Sequence, residues 1–262
     1  MNRYDELIKD AIDFHVHTAP DILSRKYTDI QLAKQYRKAG MAGFVSKCHQ
    51  GDTTARASVV QELFPDFKAF GGVVLNHAVG GLNEAAVYAC GKMGGKIVWF
   101  PTVEIRIINE NHELTKEVYP VLEQVKEQDM ILATGHLSPK ESLMLLKTAS
   151  KMGIEKMVVT HVSFPVTKAS LELQREYLSC GAMLEHCYYT PYYGLGSWEE
   201  IHASIMQAGA EHIVLSTDLG QKKSPDPVEG MQSFVGQLYE SGISEKEIRQ
   251  MIVANPRALL EI

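Results

Sequence analysis

The feature that most constrains the fold is a repeated alternation of helix-like segments with short apolar runs. Each helical segment ends near a glycine, and an apolar run begins soon after it, as in a connection from a helix to a strand. Residues within the runs are almost all apolar, which is typical of parallel strands that are buried on both faces. Eight runs occur: Ala11–Val16, Gly43–Ser46, Gly72–Leu75, Lys96–Phe100, Met130–Thr134, Lys156–Thr160, Ala182–Glu185 and His212–Ser216.

Eight strands that alternate with helices predict an α/β fold, a (β/α)8 TIM-type barrel, and 262 residues suit one such barrel. A doubly wound sheet is the alternative, but no GxGxxG motif follows the first run. Helix starts are predicted at Ser138, Ser197 and Ser244, because each has a glutamate three residues later and so forms a capping box. No linker or low-complexity tract divides the chain, and we expect a single domain over residues 1–262.

Composition restricts the classes of partner. The formal net charge is −6, and the lysines and arginines are scattered, so the basic surface that nucleic-acid binding requires is not expected. No apolar run is long enough to cross a bilayer, and the first residues lack a signal peptide, so we expect no membrane partner and a cytoplasmic location. Cys48, Cys90, Cys180 and Cys187 form no close pair and are predicted to be buried free thiols. Whether the protein forms a homo-oligomer is left open by the sequence.

Four of the predicted strands end in histidine or aspartate. In an α/β barrel, the functional site lies where the strands end and the following loops begin. His15 and His17 end the first strand and share one face, because residues i and i+2 of a strand point the same way. His136, His161 and Asp218 end the fifth, sixth and eighth strands. Imidazole and carboxylate are ligands of zinc, manganese, iron and nickel, so these five residues predict a divalent metal site.

Other polar residues at strand ends are candidates for substrate binding. Lys47 ends the second strand and is expected to face the mouth, where it could hold a carboxylate or phosphate, or bridge metals after carbamylation. His49 and His77 also follow strand ends and are predicted to contact the substrate. Glu185 and His186 are adjacent at the end of the seventh strand, so only one of them is expected to point inward. Of these two, His186 is assigned to substrate binding.

The arrangement of histidines and aspartate resembles the amidohydrolase superfamily, which has HxH after the first strand, His after the fifth and sixth, and Asp after the eighth. The resemblance covers nearly the whole chain and is nearest to small, single-domain, poorly characterised amidohydrolase-like proteins. It implies that His15, His17 and Asp218 bind metal, and that His136 and His161 complete a second metal site or divide ligation and substrate contact. The segments that carry it are His15–Asp21, Lys47–His49, Asn76–Gly81 and Ser216–Gln221.

The number of metal ions is left open by the fourth strand. Members of the superfamily with two ions carry a bridging carboxylate or modified lysine at the end of that strand. Here Glu104 lies further into the loop, where it could bridge two ions or be a solvated carboxylate. The expected cofactor is therefore one or two divalent ions, zinc first, with manganese, iron or nickel as alternatives.

The resemblance implies a metal-dependent hydrolase that activates water to cleave an amide, lactone or ester bond in a small polar molecule. Asp218 is the expected catalytic residue, which ligates the metal, takes a proton from the attacking water and passes it to the leaving group. The segment Asp13–Thr18 also resembles the opening motif of polymerase-and-histidinol-phosphatase phosphoesterases. A TatD-type phosphoesterase, a metal-dependent decarboxylase and a non-catalytic barrel that binds a ligand or metal also stay open.

Overall fold

The computed structural model describes residues 3–262, in which parallel β-strands alternate with helices. The strands are β1 (Ile12–His17), β2 (Gly43–Lys47), β3 (Lys68–Phe70), β4 (Gly72–Val74), β5 (Ile97–Trp99), β6 (Ile131–Ala133), β7 (Met157–Val159), β8 (Ala182–Cys187) and β9 (Ile213–Ser216). The helices are α1 (Arg3–Leu7), α2 (Asp29–Lys38), α3 (Thr54–Leu63), α4 (Glu84–Lys92), α5 (Val118–Glu127), α6 (Pro139–Met152), α7 (Leu171–Ser179), α8 (Tyr189–Tyr192), α9 (Trp198–Ala208), α10 (Pro227–Glu240), α11 (Glu245–Arg249) and α12 (Asn255–Leu260). Short 3-10 helices cover His77–Val79 and Ala210–His212, and a π-helical turn covers Gln250–Ala254.

The strands form two parallel sheets, in the order β1-β2-β3 and β4-β5-β6-β7-β8-β9. The first and last strands also meet, because the Asp218 N–H donates to the His15 carbonyl at 2.8 Å and the His17 N–H donates to the Leu219 carbonyl at 2.8 Å. The carboxyl ends of β1 and β9 therefore lie side by side. This brings the residues that follow the two strands to one place.

One strand was not predicted, because the third position of the sheet is divided at Gly71. The segment Lys68–Phe70 pairs with β2, whereas β4 pairs with β5. Between them, the Thr53 hydroxyl accepts a hydrogen bond from the Gly72 N–H at 3.0 Å and donates to the Ser46 carbonyl at 2.7 Å. A Cβ on Gly71 would lie 2.5 Å from the carbonyl carbon of Thr53, so only glycine allows this close approach. The Thr53 side chain thus links β2 to β4 where β3 has ended.

The apolar side chains of the strands form two layers. The larger layer packs between the strands and the helices, and the smaller lies on the opposite face of the strands. Trp99 is 1% exposed and belongs to the smaller layer, as do Phe14 on β1 and Val45 on β2. Burying such side chains contributes roughly 1.5–3 kcal/mol each. This inner layer forms the floor beneath the polar strand ends.

The predicted helix starts are confirmed. Ser138, Ser197 and Ser244 each accept a hydrogen bond from the backbone N–H three residues later, and the glutamate there completes a capping box. Gly40 and Gly153 follow helices with positive φ, +79° and +81°, which is the left-handed geometry expected where a helix gives way to a strand.

Two expectations from composition can be compared with the structure. Cys48, Cys90 and Cys187 are buried free thiols as predicted, but Cys180 is only half-buried. It stands at the end of α7, where one side of the residue faces away from the core. Within residues 3–262, no helix combines the length and the hydrophobicity that crossing a bilayer requires.

Candidate metal centre

A β-bulge in β1 turns two histidines toward one site. The step from Asp13 to Val16 on β1 covers three residues, whereas the paired step on β2 covers two. Such an extra residue bends the strand and re-aims its side chains. The His15 ring consequently lies 6.2 Å from the Trp99 ring of the inner layer and 5.2 Å from the His17 ring.

Asp13 fixes the junction that places Asp218 beside this bulge. Its carboxylate accepts hydrogen bonds from the Thr217 N–H at 2.8 Å, from the Thr217 hydroxyl and from the Tyr36 hydroxyl. Burial raises the pKa of Asp13 to about 6, although these hydrogen bonds act in the opposite direction. Asp218 follows with φ at +53°, and its N–H is held by the carbonyl of His15. The hydrogen bond to β1 therefore holds Asp218 in this left-handed backbone conformation.

Three ligand atoms converge at this junction. The Nε2 atom of His15 lies 3.2 Å from Asp218 Oδ1, and the Nε2 atom of His17 lies 3.0 Å from the same oxygen. The three residues each offer one ligand atom, and these atoms lie within 4.8 Å of one another. Both histidines are buried, while the Asp218 side chain is 13% exposed. The group thus sits at the boundary between the core and the mouth.

The partners of the other ring nitrogens decide where the protons are. The Nδ1 atom of His15 lies 3.2 Å from Glu185 Oε1, and the Nδ1 atom of His17 lies 2.9 Å from the Lys47 carbonyl oxygen. A carboxylate or carbonyl oxygen can only accept a hydrogen bond. His15 Nε2 has no hydrogen-bond partner within residues 3–262, so the His15 proton sits on Nδ1 and Nε2 presents a lone pair. His17 has an acceptor at each ring nitrogen, since Nε2 lies 3.0 Å from Asp218 Oδ1, so its neutral ring donates to one oxygen and presents a lone pair to the other. Two ring nitrogens and a carboxylate oxygen therefore face one another.

Burial and the neighbouring positive charges keep the rings of His15 and His17 neutral near pH 7. Burial holds the pKa of His15 well below its usual value, and the nearby Lys47 charge lowers it further. Burial also lowers the pKa of His17, with the Arg25 and Lys47 charges acting in the same direction. Neutral imidazoles beside a carboxylate are the form in which these side chains bind a metal cation. The residues present fit a divalent ion.

Five imidazoles form a closed ring around this point, and together they are named the histidine cluster. Successive ring centroids are 5.0 Å apart for His17 and His49, 5.8 Å for His49 and His136, and 4.8 Å for His136 and His161. The ring closes through His161 and His15 at 6.0 Å, and through His15 and His17. All four strand ends that the sequence singled out for metal binding thus meet, and His49 joins them.

Of the three further members of the histidine cluster, His161 is buried and His49 and His136 are half-buried at the mouth. Threonines hold two of them. His49 Nδ1 lies 2.7 Å from the Thr102 hydroxyl, and His161 Nδ1 lies 3.2 Å from the Thr167 hydroxyl. Burial lowers the pKa of all three, that of His136 to about 3. These rings are therefore neutral near pH 7, and they are available as ligands or as hydrogen-bonding partners of a substrate.

Lys47 lies inside the site, as its position at a strand end predicted. It is the register partner of His17, so the two side chains point to the same face. Its Nζ atom stands 5.6 Å from the centroid of the Trp99 ring and has no hydrogen-bond partner in the described part of the chain. Burial lowers the pKa of Lys47, whereas the Asp218 and Glu185 carboxylates act to raise it. A fully buried amine without a partner needs a physical explanation.

The assignment of His186 to substrate binding is not supported, because Glu185 is the residue of the pair that points inward. His186 lies on the helix side of β8, 2.6 Å from the Ser163 hydroxyl and 2.8 Å from the Ser204 hydroxyl. The carboxylate of Glu185 instead accepts from Ser216 Oγ at 2.6 Å and approaches His15. Burial raises the pKa of Glu185. Strand alternation separates the two residues, with only one of them at the site.

Glu104 and His77 are not brought into the histidine cluster either. Glu104 is exposed in the loop after β5, and it belongs to none of the groups of three ligand atoms found among residues 3–262. Its role as a bridging ligand is therefore not supported, since the loop carries it past the strand end. His77 is exposed on the short 3-10 helix after β4, while Asn76 before it turns inward and donates to the Thr102 hydroxyl at 2.6 Å.

Sequence reasoning missed the supporting roles of Glu185, Trp99 and Thr102. Strand parity could have placed Trp99, because Ile97 and Trp99 alternate with Val98 along β5. No comparable signal distinguished Glu185 from His186, since both residues are polar and both end the same strand. Thr102 lies beyond β5 and is positioned by Asn76, whose Oδ1 accepts the Thr102 N–H at 2.8 Å, a contact that depends on the loop conformation.

Comparison with known proteins gives one family and several similar folds. A family model described as a family of unknown function, DUF6282, matches residues 10–185. No curated relative matches the chain.

Solved structures similar to this chain are amidohydrolase-type hydrolases. An amidohydrolase from Pseudomonas aeruginosa has a TM-score of 0.74 at 13% identity, covering 98% of each chain. A putative 2-pyrone-4,6-dicarboxylic acid hydrolase from Pseudomonas putida has a TM-score of 0.67 at 18% identity, covering 96% of this chain and 97% of that one. An organophosphorus hydrolase from Deinococcus radiodurans has a TM-score of 0.66 at 14% identity, covering 97% and 93%. This likeness confirms the predicted fold class, an α/β barrel.

Proposed function

We propose that this chain, which belongs to the DUF6282 family of unknown function, is a metal-dependent hydrolase that cleaves an amide, lactone or ester bond in a small polar molecule. The observation that carries the proposal is the convergence of two imidazole nitrogens and one carboxylate oxygen at the end of β1. A divalent cation satisfies all three groups, and in hydrolases such a site serves to activate water.

His15, His17 and Asp218 are the proposed ligands of the first ion, with zinc as the first expectation and manganese, iron or nickel as alternatives. The ion, when bound, supplies a Lewis acid that lowers the pKa of water and polarises a carbonyl oxygen. Glu185 and the Lys47 carbonyl hold the two imidazoles in the tautomer that ligation needs. His136 and His161 then hold a second ion or contact the substrate.

Asp218 is the proposed catalytic residue. At 13% exposure its side chain is the most accessible of the three proposed ligands, so it faces the water that enters from the mouth. Its carboxylate takes the proton of the attacking water and returns it to the leaving group. The hydrogen bond from the Asp218 N–H to β1 keeps the carboxylate in place through both transfers. The neutral rings of His136 and His161 line the position where the substrate carbonyl would lie.

The similar folds support the class of reaction. The solved structures that resemble this chain are hydrolases by name, and the similarity extends over nearly the whole of each chain. The proposal includes a single catalytic domain over residues 1–262, acting in the cytoplasm on a small molecule.

The test is the metal content of the purified protein, measured by inductively coupled plasma mass spectrometry, together with hydrolysis of 4-nitrophenyl acetate. Near-stoichiometric metal is expected in the wild type and loss of it in a His15→Ala/His17→Ala variant, with ester hydrolysis lost in parallel. His77→Ala is the matched control, because this histidine is exposed outside the cluster and should keep both properties. A wild type that holds no metal and refuses added metal would refute the proposal.

A further inference from the structure

Lys47 is a charged side chain of the site whose Nζ atom faces the Trp99 ring but meets no hydrogen-bond acceptor in the described part of the chain. Among residues 3–262, its Nζ atom has no hydrogen-bond partner, although the residue is fully buried. The Asp218 and Glu185 carboxylates act on it through space, but each is engaged elsewhere, Asp218 with the two histidines and Glu185 with Ser216 and His15. A buried ammonium costs several kcal/mol when it is unpaired, so its retention here points to a partner from outside the chain.

The donors of Lys47 give the sign of that partner. Its Nζ atom offers N–H donors and no acceptor, and none of them meets a hydrogen-bond acceptor among residues 3–262. Lys47 is therefore a positive charge in excess of its acceptors. An anion supplies acceptor atoms and neutralises that charge.

Arg25 does not take part in this excess, because it already has a carboxylate partner. Its guanidinium lies 2.7 Å from Asp21 Oδ2, and both side chains are buried, at 2% and 1% exposure. The pair lies in the loop between β1 and α2, where the Arg25 charge lowers the pKa of His17. A phosphate dianion would need a second free cation, whereas a carboxylate needs only Lys47.

We propose that Lys47 is an anion-binding subsite that holds a carboxylate group of the substrate, next to the bond that the metal centre hydrolyses. The assignment rests on the proposed function for the position of the reacting bond. Lys47 is the register partner of His17 and is buried against Trp99, so the carboxylate lies within the inner layer and close to the metal ligands. The substrate is accordingly a small acid whose amide, lactone or ester bond stands a few atoms from its carboxylate.

The experiment measures binding of succinate to the protein as purified by isothermal titration calorimetry, with the metal content of each sample determined separately. Wild type, Lys47→Met and Lys68→Met are compared, where Lys68 is an exposed lysine at the start of β3 and serves as the charge-matched control. Methionine keeps the length and the packing of Lys47 against Trp99 but removes the charge. We expect Lys47→Met to weaken succinate binding about 10- to 100-fold and Lys68→Met to leave it unchanged.

A second comparison keeps the proposal falsifiable if Lys47→Met does not fold. Wild type should bind succinate more tightly than the neutral diamide succinamide by about tenfold or more, and Lys47→Gln should abolish that preference. Failure of wild type to prefer succinate, or equal binding by the Lys47 variants, overturns the inference. If methyl phosphate binds more tightly than succinate, and this binding also depends on Lys47, the carboxylate assignment is overturned in favour of a phosphate. An intact mass increased by one carbon dioxide, lost in Lys47→Met, overturns it in favour of a carbamylated lysine.

The outcomes separate this inference from the proposed function. In one outcome, the protein holds metal and binds succinate through Lys47 but cleaves neither 4-nitrophenyl acetate nor 4-nitrophenyl succinate. That outcome supports the anion subsite and refutes the hydrolase. Hydrolysis of both esters at equal efficiency, unaffected by Lys47→Met, supports the hydrolase and refutes the anion subsite.

Discussion

Replacement of Glu185 by glutamine should weaken metal binding although Glu185 is not one of the three converging ligands. The Glu185 carboxylate accepts three hydrogen bonds, from Ser216 Oγ at 2.6 Å, from the His161 N–H at 3.1 Å and from His15 Nδ1 at 3.2 Å. Glutamine has nearly the same shape, but its amide nitrogen can only donate. Because Ser216 and His15 both contact Oε1 and His161 contacts Oε2, at least one of the three donors must then face an NH2 group.

The magnitude follows from which donor is displaced. The Ser216 hydroxyl can rotate to accept, but the His161 N–H cannot, so the glutamine oxygen must stay on His161 in place of Oε2. The NH2 group then takes the place of Oε1 and faces both Ser216 and His15. Where it donates to His15, the ring proton moves from Nδ1 to Nε2, and the lone pair offered to the metal is lost. Even where the tautomer survives, the imidazole loses a charged partner that makes it a better ligand. Loss of such an outer partner weakens metal affinity by about 10- to 100-fold, or about 1.4 to 2.7 kcal/mol.

The assay is a competition titration of the apo protein with zinc against a chromophoric chelator. His186→Gln is the matched control, since it changes the neighbouring residue of β8 on the side of the helices. That variant should lose about 1–3 kcal/mol of unfolding free energy, because the buried imidazole hydrogen bonds to Ser163 and Ser204 are lost, but its zinc affinity should be unchanged. Zinc affinity in Glu185→Gln within about twofold of wild type would refute the argument that Glu185 sets the tautomer of His15.

Three further predictions concern stability and the role of Glu104. Burial lowers the pKa of His186 from 6.5 to about 4, so the unfolded chain binds the proton first and unfolding free energy falls as pH drops between these values, by about 1.4 kcal/mol per pH unit. Urea titrations should show a shallower fall in His186→Gln, and an unchanged slope would count against this. Gly220→Ala should cost about 2 kcal/mol or more and reduce metal content, because its Cβ would lie 1.8 Å from the His17 carbonyl oxygen at a φ of +118°. Gly51→Ala, with open space around it, should be silent in the same titration, and equal costs would contradict the steric reasoning. Glu104→Gln should leave metal content and ester hydrolysis unchanged, and loss of metal would restore Glu104 as a ligand.

Local pattern was sufficient for the elements of the fold. Apolar runs bounded by glycines predicted eight of the strands, and the capping boxes at Ser138, Ser197 and Ser244 predicted three helix starts, because both signals depend on neighbouring residues only. The division at Gly71 was not predicted, since it depends on Thr53, a residue from another element. A short-range pattern carries no record of such a contact.

Strand periodicity was enough to identify the strand ends that could supply ligands. His15 and His17 share a face through the period of a strand, and the carboxyl ends of parallel strands meet, so His136, His161 and Asp218 had to lie near them. Local periodicity and strand direction alone fix that outcome.

The direction in which each of these side chains points depends on tertiary packing. The bulge in β1 aims His15, the parity of β8 turns Glu185 inward and His186 outward, and the loop after β5 carries Glu104 away. The absence of a hydrogen-bond partner for Lys47 within residues 3–262 likewise follows from the hydrogen bonds that Asp218 and Glu185 make to other residues. Hydrogen-bond partners and burial arise from residues far apart in the chain. The proton position on His15 and the anion subsite at Lys47 can therefore be inferred only from the packed strands.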